Sequence, residues 1–75
     1  MDSSERRIAE EQVRHEDAVL AAVLAERKAR REYDQVSHLP SPRDAIFAAG
    51  QACGKATDDL DAAGDAYLAF MDKVT

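Results

Sequence analysis

Apolar positions recur every seven residues through the second half of the chain. Ile46, Cys53, Leu60, Tyr67 and Val74 form one row, and Ala49, Ala56, Ala63 and Phe70 follow its first four members at a spacing of three. Gly50, Thr57, Gly64 and Met71 lie next to that second row. A heptad sustained in this way predicts a helix with a coiled-coil-like packing seam. The seam is thin, because its second position is Ala in three repeats and glycines flank it. Glycine inside a helix costs about 1 kcal/mol relative to Ala. Close approach of another backbone is the expected compensation at Gly50 and Gly64, whereas Gly54 falls off the seam and has no such reason.

The first half is less regular. One stripe runs Ile8, His15, Val19, Ala22, Ala29, Tyr33 and Val36, and a second side carries Val13, Leu20 and Leu24, with Val23 between them. From Val13 to Ala25 the helix is apolar around most of its circumference, a pattern of helices buried on more than one side. The two prolines stand together in Ser37-His38-Leu39-Pro40-Ser41-Pro42. Pro40 disfavours helical geometry at Leu39, so the first helix should end near Ser37 or His38. Ser41 suits an N-cap, Pro42 the first helical position and Asp44 the positive helix end. Asp2-Ser3-Ser4-Glu5 offers a capping-box-like start for the first helix.

These signals predict an all-α fold in one domain over residues 1–75: helix one about 3–38, a turn about 38–41 and helix two about 42–73. A short connection between long helices favours an antiparallel two-helix hairpin. In a hairpin turning near residue 40, His15 should lie opposite about residue 64 and Cys53 opposite about residue 26. One partner helix covers only one side of helix one. The surface around Leu20 and Leu24 therefore asks for a second chain, and dimerisation to a four-helix bundle or docking on a larger protein would supply it. If helix one packed on its own copy with the two-fold axis near Leu20, Glu10 and Glu11 would face Arg27, Lys28, Arg30 and Arg31.

Composition agrees with a small core. Fifteen of 75 residues are Ala, there is no Trp, and the single Cys allows no internal disulfide. Scaffolds of this size need a partner or a staple. A lone Cys fits a reducing compartment. The longest apolar run, Ala18 to Ala25, is eight residues. A membrane span takes about 20, and the charged start does not resemble a signal peptide, so a cytoplasmic chain with no membrane partner is expected.

Net charge is −5, unlike a general nucleic-acid binder. The basic group Arg27 to Arg31 could still contact phosphates, although Glu26 and Arg30, and Arg30 and Asp34, are spaced to pair at i,i+4.

Candidate chemistry is sparse. Counted from Asp59, a calcium loop would use Asp59, Asp61 and Gly64, but position 5 is Ala63 and position 12 is Phe70, where a ligand is needed. Glu11 and His15 share a face, yet no Glu-x-x-His pair occurs, and Cys53 reads as a small apolar seam residue. No phosphate-binding glycine loop is present. No catalytic residue, metal, cofactor or small-molecule substrate is expected.

The residues pointing to a function are therefore Val13, Glu16, Leu20, Leu24, Arg27, Arg30 and Arg31, with Glu16 the polar member that could set register on an apolar face. They predict a non-enzymatic protein–protein interaction module: an adaptor, small chaperone, assembly component or inhibitor, working on itself as a homodimer or on a larger protein. The alternative is a nucleic-acid-linked regulator. It would bind RNA or DNA through Arg27, Arg30 and Arg31, or mimic phosphates through Asp58, Asp61 and Asp65.

Overall fold

In a computed structural model, which describes residues 3–75, the chain forms two helices, α1 (Ser3–His38) and α2 (Arg43–Val74). They pack on each other as an antiparallel hairpin, the expected fold class, with extents of 59 × 17 × 13 Å. The capping start proposed for α1 begins at Asp2, outside the described residues. At the other end of α1, the His38 Nδ1 donates to the Asp34 carbonyl, one turn back, at 2.7 Å.

The start of α2 differs from expectation by one residue. Pro42, not Ser41, is the N-cap, with φ −61° and ψ 148°, and no side chain caps the helix. The Pro42 carbonyl instead accepts from the Ala45 and Ile46 amides at 3.1 and 3.2 Å. An N-cap needs extended backbone and an acceptor carbonyl but no amide hydrogen, so Pro fits it. Asp44 in the first turn and Lys73 in the last both oppose the helix dipole. At its far end, Thr75 donates to the Met71 carbonyl through both its amide and its hydroxyl.

The α2 seam turns inward as its spacing predicts. Every member from Ile46 to Met71 is at least partly covered, and only Val74, at the end of the helix, is exposed. Thr57 settles its hydroxyl by donating to the Cys53 carbonyl at 3.0 Å, which makes a polar residue tolerable there. On α1 the covered face holds His15, Val19, Ala22, Ala29 and Val36, joined by Gln12, Val23 and Glu26. Ile8 and Tyr33, assigned to the same stripe, remain partly exposed near the helix ends.

The register is displaced from the expected one by about a turn. His15 meets Tyr67 and Phe70, with ring centroids 6.3 and 4.9 Å away, where a partner near residue 64 was expected. Tyr33 lies over Gly50. The non-helical link between His38 and Arg43 is centred beyond Pro40, which carries α2 further along α1 before the two come level.

Phe70 is the single buried residue among the described residues, at 6% exposure. The seam is built mainly from Ala and Gly, which permit approach but remove little area from water, and there is no third layer.

Candidate functional site

The Ala-rich seam leaves large side chains outside the hairpin. Leu20 and Leu24 are each 57% exposed, and Val13 is exposed on the same side of α1 as Leu20. Leu20 forms one wall of an open apolar groove of about 460 Å³ between the helices, with Glu16, Val19, Val23, Gly64, Tyr67 and Leu68 completing it. Leu68 is 63% exposed. A second, smaller hollow of about 390 Å³ lies further along α1, where Leu24 sits with Arg27, Lys28, Arg31, Glu32 and Gln35.

The groove has one polar anchor. The Tyr67 hydroxyl donates to the Glu16 Oε1 at 3.2 Å, and the Gln12 Nε2 donates to the same oxygen at 3.1 Å. This small network ties α1 to α2 beside the apolar surface. Burial of the Tyr67 ring, then the hydrogen bond to Glu16 and the nearby carboxylate charge, push the phenol pKa up, while the Gln12 hydrogen bond opposes the rise.

The seven residues singled out by sequence thus fall into three groups. Glu16 and Leu20 share the interhelical groove, with Val13 exposed nearby on α1. Leu24, Arg27 and Arg31 share the hollow on the outer side of α1. Arg30 is engaged with Glu26, Nε to Oε1 at 2.8 Å, and the Glu26 side chain is only 13% exposed. That pairing lets a carboxylate sit at the edge of the seam.

Leu68 and Phe47, the latter 68% exposed, were not among the predicted site residues. The signal was present. They are three heptads apart and each follows a seam residue, Tyr67 and Ile46, by one position, so both lie on the flank of the seam.

The glycines separate along the same line. A Cβ at Gly50 would meet the Tyr33 ring at 3.5 Å, an ordinary contact. A Cβ at Gly64 or Gly54 would meet nothing within 4 Å. The close approach expected at Gly64 is therefore not made within the hairpin; its open side faces the groove. Nothing in the structure explains Gly54.

The histidines and the cysteine do not converge. His15 is packed against two aromatic rings, His38 caps its own helix, and Cys53 lies partly covered on the seam. His15 and Cys53 are separated by roughly 20 Å along the hairpin at 1.5 Å per residue. The helix runs unbroken from Asp59 through Phe70, so these residues cannot wrap an ion as a calcium loop does. Among the described residues, no three His, Cys, Asp or Glu side chains gather as a metal-binding group, and no helix is long and apolar enough to cross a membrane.

No family model, curated protein or solved structure matches the chain.

Proposed function

We propose that the chain is a non-enzymatic protein–protein interaction module that binds through the exposed apolar side of α1 and the groove beside it. The observation that carries this reading is the exposure of Leu20 and Leu68 on an open apolar groove, with Leu24 exposed beside it on α1, in a hairpin with one buried side chain among the described residues. Exposed apolar surface of this kind marks interaction sites. Leu20, Leu24 and Val13 are the anchors. Arg27 and Arg31, at the rim, orient the partner more than they hold it. Glu16, fixed by Tyr67 and Gln12, is the polar member against which a partner must register. The separation of the histidines from the cysteine supports a non-catalytic role, since an activated nucleophile needs its base within hydrogen-bond reach.

The nucleic-acid alternative draws less support. Arg30 is held by Glu26, which leaves Arg27 and Arg31 of its three proposed contacts without that engagement.

The test is association measured with and without the anchors. Leu20→Asp combined with Leu24→Asp should abolish binding to whatever the chain associates with, its own copy included, and leave helicity by circular dichroism unchanged. Unaltered association in that variant contradicts the proposal.

A further inference from the structure

Building on that reading, we infer that the occupant of this surface is a second copy of the chain, packed antiparallel on α1 about a two-fold axis level with Ala21 and Ala22. Four observations converge on it. The first is area. A compact chain of 8.2 kDa exposes about 4,500 Å², whereas this one exposes 5976 Å². The excess, roughly 1,500 Å², exceeds the roughly 800 Å² that each partner of a standard interface covers.

The second is self-complementarity, which a two-fold interface requires because each contact occurs twice. With the axis at Ala21–Ala22, Leu20 of each copy comes level with Val23 and Leu24 of the other. Glu16 comes level with Arg27, and Asp17 lies within about 3 Å along the axis of the levels of Arg27 and Lys28; Glu26, directly level with Asp17, is engaged by Arg30 of its own helix. Val13 comes level with the aliphatic stems of Arg30 and Arg31, which can cover apolar surface while their charged ends stay wet. Acids before the leucines and bases after them attract only in the antiparallel arrangement, since a parallel pair would set like against like. The third is length. Ala21–Ala22 lies near the middle of α1 (Ser3–His38), so the two hairpins overlap along nearly their whole length. The fourth is the groove, where Gly64 presents open space rather than a contact with α1.

Charge reversal tests the pairing. Glu16→Lys with Asp17→Lys, and separately Arg27→Glu with Lys28→Glu, should each weaken self-association about tenfold through repulsion repeated across the axis. An equimolar mixture of the two variants should recover the wild-type affinity as a heterodimer. Light scattering after size exclusion reads the masses, and circular dichroism confirms that each variant stays helical. Recovery on mixing supports this register. A wild-type chain that stays at 8.2 kDa at millimolar concentration overturns the second copy as occupant. The interaction reading falls separately, if Leu20→Asp with Leu24→Asp leaves every association of the chain intact. A dimer whose variants show no loss, or no recovery on mixing, overturns the register.

Discussion

Tyr67 joins the two helices at a point where packing and hydrogen bonding meet: its ring lies edge-on to His15 and its hydroxyl binds Glu16. Its raised pKa has a definite sign. The folded state holds the phenol proton more tightly than the unfolded chain does. The associated stability is fully present below the ordinary tyrosine pKa, about 10, and is lost as pH rises through the folded value. Urea midpoints measured on either side of about pH 10 should fall for the wild-type chain and fall less for Tyr67→Phe. Gly54 and Gly50 give a second prediction at this scale. A methyl at Gly54 meets nothing and at Gly50 makes an ordinary contact. Each change to Ala should therefore raise stability by up to about 1 kcal/mol through helix propensity, visible as a higher melting temperature.

Among the elements, α2 was the more legible. Its seam repeats every seven residues with few competing apolar positions, so spacing alone identified which residues are covered. α1 was legible only in part, because its apolar residues surround the helix between Val13 and Ala25 and several faces compete. Glu26 shows why pattern fails there: a carboxylate reads as solvent-facing, yet Arg30 lets it sit at the seam edge. Register was less legible still. It depends on where the linker's centre falls, and two prolines close together leave that open by a turn. Leu68 and Phe47 were obscured because each follows a stronger seam residue by one position. For the hairpin itself, Phe70 is the decisive residue. Phe70→Ala should cost about 3–5 kcal/mol, comparable to all that a core of this size supplies, so the variant should lose most of its helical circular dichroism at 25 °C.

The whole molecule is a thin hairpin that covers one side of each helix and leaves Leu20, Leu24, Leu68 and Phe47 to solvent. A single chain of this kind is marginal, and stability gained through a partner depends on concentration. The melting temperature should therefore rise with protein concentration in the wild type and remain flat in Leu20→Asp with Leu24→Asp. The most direct measurement is sedimentation equilibrium of the unmodified chain across micromolar to millimolar concentrations. Self-association through α1 predicts a reversible approach to twice the chain mass of 8.2 kDa. A mass that stays at one chain throughout would contradict it.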